Sequence, residues 1–188
     1  MKLVNYDRTN INTKVILIGN SADPRNNHID ILNKLAKFKD KDLKLLLILA
    51  YGGTKDYVEE VVSYAKSIFG DKVESLTSYL GFEEYMKLLN RTDICIFNHN
   101  RQQGLGTVNL MLAIKKKVYL KSDITPYKYY NDLGIKVYDT DSIISSSYDD
   151  LIFSTEAELE KNRALIIEDT DIDRTINYWK TIIEKKWD

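Results

Sequence analysis

The stretch Lys14-Val15-Ile16-Leu17-Ile18-Gly19-Asn20-Ser21 is a short, largely apolar run that stops at a glycine followed by polar residues. Such a run is typical of a strand buried on both faces of a parallel sheet. Similar runs recur along the chain, and the segments between them have apolar residues at helical spacing. This alternation predicts βαβ crossovers and a Rossmann-like α/β domain with a doubly wound parallel sheet of about six strands. The predicted strands are 14–18, 43–50, 73–76, 94–97, 118–120 and 135–138.

The composition is that of an ordinary soluble globular domain, with 188 residues, 44% hydrophobic residues and 29% charged residues. We therefore expect a single domain over residues 1–188. The formal net charge of −1 gives no field that would attract nucleic acid, so no nucleic-acid partner is expected. No apolar stretch approaches the roughly 20 residues of a membrane span, and we expect a cytoplasmic protein.

The sequence gives no indication of a metal cofactor. Cys95 is the single cysteine and lies in an apolar run, which favours a small buried side chain rather than a nucleophile. Two DxD patterns occur, at 139–141 and 169–171, but their positions favour helix caps and turns. We therefore expect metal-independent chemistry.

The loop after the first strand carries Gly19, Asn20 and Ser21, and the next helix begins near Asn27 and His28. A glycine at the end of a buried strand lets the backbone approach a ligand closely, and free N–H groups at a helix start favour an anion. A capped turn without a ligand explains the same residues. A helix histidine is also, by itself, more often a packed or solvated residue than a ligand.

The loop after the second strand contains Tyr51 and Gly52. A glycine here could admit a base or ribose against the backbone, with the Tyr51 ring as an apolar wall. A flexible turn between strand and helix explains this pattern equally well.

The loop after the fourth strand, residues 98–107, is the most informative stretch because seven of its ten residues have polar side chains. An arginine can form paired hydrogen bonds to phosphate oxygens, and glutamines can pair with hydroxyls or a pyrimidine edge. Two spaced glycines would expose N–H groups at the next helix N-terminus, where the helix dipole favours phosphate. The candidate ligand-binding residues of this loop are Arg101, Gln102, Gln103, Gly104, Gly106 and Thr107.

The C-terminal part of the chain differs from the repeating pattern. A polar break at 145–147 precedes two helical stretches, roughly 155–167 and 172–187. The last stretch has an apolar stripe that includes Ile176 and Trp179, and such a stripe needs a packing partner.

At these residues the chain resembles the bacterial 4-alpha-L-fucosyltransferase family, whose known members are TDP-N-acetylfucosamine:lipid II transferases. The resemblance implies a GT-B enzyme with two Rossmann-like domains, of which this chain matches the C-terminal, donor-binding one. The N-terminal domain would then come from a longer chain, a fuller reading frame or a second subunit of a split enzyme, and a helix at 171–188 would pack toward it. The matching words are 16–21, 27–29, 51–52, 57–61 and 101–107.

The resemblance implies transfer of an amino-deoxy sugar from a TDP-sugar to a lipid-linked saccharide in surface polysaccharide synthesis. Acceptor binding and peripheral contact with the inner face of the membrane would involve the N-terminal domain. Two departures leave the particular sugar open. The residues 98–100 are polar where the family has aromatic or apolar residues, and Pro126-Tyr127-Lys128-Tyr129 replaces a Pro-Phe-Trp word.

Two other functions remain open at this stage: a sugar-nucleotide epimerase of GT-B architecture, and a non-catalytic nucleotide-sugar-binding module. No catalytic residue is assigned. His99 is a local candidate for a general base because its ordinary pKa range is suitable. The family position that matches it is not a histidine, however, and a base from the N-terminal domain is the stronger expectation.

Overall fold

The computed structural model describes residues 13–184. Six parallel strands form one sheet in the order β3-β2-β1-β4-β5-β6. The strand order reverses between β1 and β4, and loops at the carboxyl ends of such neighbouring strands open a crevice that commonly binds ligands. The strands are β1 Lys14–Ile18, β2 Leu43–Ile48, β3 Val73–Leu76, β4 Ile94–Phe97, β5 Lys117–Leu120 and β6 Tyr138–Asp139.

Helices cover both faces of the sheet, as the predicted doubly wound topology requires. Alternate residues of β1 point to opposite faces, so Ile16 and Ile18 pack in one core cluster and Leu17 packs in the other. The helices are α1 His28–Leu35, α2 Lys55–Phe69, α3 Phe82–Asn90, α4 Leu105–Ala113, α5 Thr125–Asp132, α6 Tyr148–Ile152, α7 Glu156–Asp169 and α8 Ile172–Glu184.

Five of the six predicted strands are confirmed to within two residues at either end, and the last strand is displaced. The sequence predicts a strand at 135–138, whereas β6 is Tyr138–Asp139. The backbone of Lys136 is hydrogen-bonded to the side chain of Asn162 on α7 rather than to a neighbouring strand. The Asn162 amide oxygen lies 2.7 Å from the Lys136 nitrogen, and the Asn162 amide nitrogen lies 2.8 Å from the Lys136 oxygen. The backbone groups that would start the strand are therefore bound to a helix.

The polar break predicted at 145–147 contains a helix start. Ser147 accepts a hydrogen bond from the Asp150 backbone while the Asp150 carboxylate accepts one from the Ser147 backbone, which is a capping box. Asp139 and Asp171 also accept backbone hydrogen bonds from residues two or three positions ahead, so one aspartate of each DxD pattern acts as the expected cap. Cys95 is fully buried, and its burial raises the thiol pKa.

The last helix, α8, has no buried residue among those described. Ile176 and Trp179 are 45% and 56% exposed, so the predicted apolar stripe is present and uncovered. The end of the predicted helix, from 185 onward, lies outside the described residues. Over residues 13–184, no helix is both long enough and apolar enough to cross a membrane.

Replacing Asn162 with Ala should destabilise the fold by about 2 kcal/mol, because both Lys136 backbone groups would lose their partner. Urea unfolding measures this change, with Asn177→Ala on the exposed face of α8 as the control. Equal unfolding midpoints for the two variants would contradict the role given to Asn162.

Candidate functional site

The candidate site lies where the loop after β1 meets the loop after β4. The backbone N–H of Gly19 donates to the Ile96 carbonyl over 3.0 Å, and that of Asn100 donates to the Arg25 carbonyl over 3.0 Å. The first bond ties the start of the β1 loop to strand β4, and the second joins two of the three predicted loops. Residues that are about 80 positions apart along the chain thus form one surface at the carboxyl edge of the sheet.

Asparagine side chains fix the two loops to each other. The Asn27 amide nitrogen donates to the Asn98 carbonyl over 3.0 Å, and the Asn100 amide nitrogen donates to the Asn27 amide oxygen over 2.9 Å. Asn27 occupies the position before α1 with φ of 50°, yet its side chain does not cap that helix. The residue predicted at the helix start therefore serves to join the loops.

Glycines allow polar side chains to pack closely against the backbone at two points. Gly19 has φ of +68°, and a Cβ there would lie 2.8 Å from both the Asn26 amide oxygen and His28 Nε2. Gly104 has φ of +67°, and a Cβ there would lie 2.8 Å from the Asn20 amide carbon. A larger residue at either position would clash and strain the backbone.

The N-terminus of α4 faces this surface without a side-chain cap. Gly104 precedes the helix, and the first hydrogen bond onto its carbonyl comes from the Val108 N–H at 3.0 Å. The N–H groups of the first turn are left for solvent or a ligand, and the helix dipole favours an anion at this end. Thr107 is less available than predicted, since its side chain hydrogen-bonds Tyr85.

Arg101 is about half exposed and makes two side-chain contacts. Its Nε donates to the Gln103 amide oxygen over 3.1 Å, and its Nη2 donates to the Asp23 carboxylate over 3.2 Å. Within the described residues, the buried amide nitrogen of Gln103 has no hydrogen-bond partner. Gln102, by contrast, is exposed. Arg101 and Gln103 thus present hydrogen-bond donors beside the uncapped helix.

The third predicted loop joins the site through Asn20. The Asn20 amide nitrogen donates to the Tyr51 hydroxyl over 3.1 Å, and the Ala22 N–H donates to the Tyr51 carbonyl over 2.6 Å. Gly52 lies against Ser21, because a Cβ on it would be 3.4 Å from the Ser21 hydroxyl oxygen. All three predicted loops therefore contribute to one surface.

Tyr79, in the loop after β3, is a site residue that the sequence analysis missed. Its ring stacks on that of Tyr51, with centroids 5.9 Å apart and planes 13° apart. The loop between β3 and α3, residues 77–81, contains no charged or amide side chain and only one glycine, so the sequence offers weaker grounds for expecting a ligand there. The available signal was an aromatic residue after a strand that pairs with β2.

Both histidines of the chain lie beneath the surface. His28 is fully buried, with Nδ1 3.0 Å from the Tyr57 hydroxyl, while Nε2 has no hydrogen-bond partner in the described part of the chain. His99 is 1% exposed, and its Nε2 lies 2.9 Å from the Asn26 amide oxygen. Burial lowers the pKa of each imidazole to about 4. Their position supports the loops from below and does not favour His99 as a solvent-facing general base.

Because both pKa values lie near 4 in the folded protein and near 6.5 in an unfolded chain, acid should favour unfolding. The contribution of the uncharged histidines to stability is fully present above pH 6.5. It falls toward pH 4, because the unfolded chain takes up protons that the folded chain does not. Between pH 6.5 and pH 5 the free energy of unfolding should fall by about 1.5 kcal/mol for each histidine. Urea unfolding across this range checks the loss. Equal pH slopes for the wild type and a His28→Gln/His99→Gln variant would contradict it.

Solved glycosyltransferase structures share this architecture. A glycosyltransferase from Rickettsia africae is 16% identical, with a TM-score of 0.69 over 93% of this chain and 49% of its own. The E. coli trehalose-6-phosphate structure bound with UDP-2-fluoro glucose is 14% identical, with a TM-score of 0.67 over 94% of this chain and 45% of its own. This chain therefore spans less than half the length of either protein.

An isolated C-terminal domain gives a match of more equal length. The C-terminal domain of the group 1 glycosyltransferase LpcC from Francisella tularensis is 13% identical, with a TM-score of 0.65 over 85% of this chain and 87% of its own. At such identities the likeness shows the fold, which is that of a domain of GT-B glycosyltransferases.

The amino-acid sequence itself identifies the family. The pattern described as 4-alpha-L-fucosyltransferase, glycosyl transferase group 56, matches residues 1–141, which is most of the chain and includes all three site loops. The resemblance noted from the sequence is thereby confirmed. The chain belongs to the 4-alpha-L-fucosyltransferase family of glycosyltransferases.

Proposed function

We propose that this chain binds the donor of a glycosyl transfer reaction, a nucleotide-diphosphate sugar, at the surface formed by the loops after β1, β2 and β4. The observation that carries the proposal is the convergence of hydrogen-bond donors on one short segment. The uncapped N-terminus of α4, the Arg101 guanidinium and the unpartnered Gln103 amide nitrogen all lie on the same loop. Together they suit a diphosphate.

The same groups would also promote the reaction. When the sugar leaves its nucleotide, negative charge develops on the diphosphate, and fixed donors that face this charge lower the barrier. Arg101 and the N–H groups from Gly104 to Thr107 supply such donors without a metal ion. The asparagine bridges between the loops hold them in place before the ligand arrives, so little reorganisation is needed.

The remaining loops would hold the rest of the nucleotide. Asn20 and Ser21 would lie on the β1 side of the diphosphate. Ser21 is next to Gly52, and Asn20 donates to the Tyr51 hydroxyl. The Tyr51 ring, stacked with Tyr79, offers a flat apolar surface for the base. Asn27 and His28 would act indirectly, since their side chains bind other protein groups or are buried.

We propose an amino-deoxy sugar on a TDP carrier as donor and a lipid-linked saccharide as acceptor, as the resemblance to the 4-alpha-L-fucosyltransferase family implies. The acceptor, the general base and any peripheral membrane contact would belong to an N-terminal domain facing this one. The exposed stripe of α8, with Ile176 and Trp179, is the surface that we propose packs toward that domain.

The site gives less support to an epimerase. That chemistry would require carboxylates that face the sugar. At this surface the Asp23 carboxylate is engaged by the guanidiniums of Arg25 and Arg101. A non-catalytic binding module would share the donor site, and a transfer assay on a protein that contains both domains distinguishes it from an enzyme.

Replacing Arg101 with Ala should weaken TDP binding at least about tenfold, because hydrogen bonds to charged groups contribute about 1.5–3 kcal/mol. Isothermal titration calorimetry with TDP and UDP measures the change. Arg174→Ala is a matched control, since Arg174 is similarly exposed and also pairs with a carboxylate, that of Glu168.

Two results would count against the proposal. If neither TDP nor UDP binds the wild-type chain at millimolar concentration, the donor site is absent. If TDP binds and Arg101→Ala keeps the wild-type affinity, the phosphate lies elsewhere on the domain.

A further inference from the structure

The Asp23 carboxylate lies between two guanidiniums. One of its oxygens accepts from Arg25 Nη1 at 3.4 Å and from Arg101 Nη2 at 3.2 Å. Its other oxygen accepts the Arg25 backbone N–H at 2.9 Å, which caps a 3-10 turn at Pro24–Asn26. One oxygen of the carboxylate thus caps the turn, and the other oxygen is paired only with the two guanidiniums.

The two arginines come from different loops but are held in the same place. The Asn100 N–H binds the Arg25 carbonyl, so the backbone of Arg25 is attached to the residue before Arg101. Their side chains are 58% and 53% exposed, whereas that of Asp23 is 19% exposed. Two exposed cations therefore converge on one partly exposed anion, beside the uncapped start of α4.

We propose that Asp23 occupies the position of a ligand phosphate oxygen, and that the donor diphosphate displaces it to bind Arg25 together with Arg101. This inference rests on the proposed function and adds two residues to it. Arg25 becomes a second diphosphate ligand. The Asp23 carboxylate competes with the ligand, because it stays paired with both arginines until a more highly charged anion replaces it.

The energetics allow this exchange. A carboxylate and a phosphate offer guanidinium the same kind of oxygen acceptor, and phosphate carries more charge. Ion pairs between exposed side chains are weak, so separating Asp23 from the arginines costs little. The backbone N–H of Arg25, followed by the charges of both arginines, lowers the pKa of Asp23, so the carboxylate is ionised at neutral pH.

The opposite role for Asp23 is that it orients Arg101 toward the ligand, and one substitution distinguishes the two. Asp23→Asn keeps the oxygen that caps the turn but removes the charge. If Asp23 competes with the ligand, this variant should bind diphosphate about two- to fivefold more tightly, which is the range expected for an exposed ion pair. If Asp23 orients Arg101, the variant should bind more weakly.

The experiment is calorimetric titration of the full chain with TDP and with inorganic pyrophosphate. We expect tighter binding of both by Asp23→Asn and about tenfold weaker binding by Arg25→Ala. Asp171→Asn is the matched control, because Asp171 also caps a turn through a backbone N–H, that of Arg174. Thermal melting of each variant verifies that it is folded.

The possible outcomes distinguish a failure of this inference from a failure of the proposed donor-binding function. Failure of the wild type to bind TDP overturns the proposed function, and the inference with it. Normal TDP binding by the wild type, with Asp23→Asn unchanged or weaker, or with Arg25→Ala unchanged, overturns the inference alone and leaves the donor site in place.

Discussion

The site depends on the hydrogen bonds that join the loop after β1 to the loop after β4. Asn27 bridges to Asn98 and Asn100, and Asn100 also holds the Arg25 carbonyl. Each loop alone would be an ordinary connection between a strand and a helix. Once joined, they fix the direction of Arg101 relative to the N-terminus of α4, which is the preorganisation that a charged ligand requires.

Burial and exposure divide the polar residues of this surface into two groups. His28 and His99 lie underneath and are uncharged at neutral pH, so they support the loops without adding to the field above. Arg25, Asp23 and Arg101 lie on top, where solvent keeps their ion pairs weak. Because Arg25 and Arg101 are only weakly paired with Asp23, and because buried side chains support their loops, the two arginines are well suited to exchange one anion for another.

Most of the fold could be predicted because each strand and each turn is marked by residues that are adjacent in the sequence. Apolar runs such as 94–97 mark buried strands, and glycines such as Gly19 mark the ends where the chain must turn. The displaced last strand could not be predicted, since the Asn162 side chain that captures its backbone lies on a distant helix. The ion pair between Asp23 and Arg101 is likewise a contact between loops about 80 residues apart.

The central claim is that the loops after β1 and β4 together hold the diphosphate of a nucleotide sugar. A crystal structure of the chain with TDP tests it most directly. The account predicts that the diphosphate lies within hydrogen-bonding distance of the Arg101 guanidinium and of the N–H groups that begin α4 after Gly104. A diphosphate ordered away from both loops, with Arg101 still bound to Asp23, would contradict it.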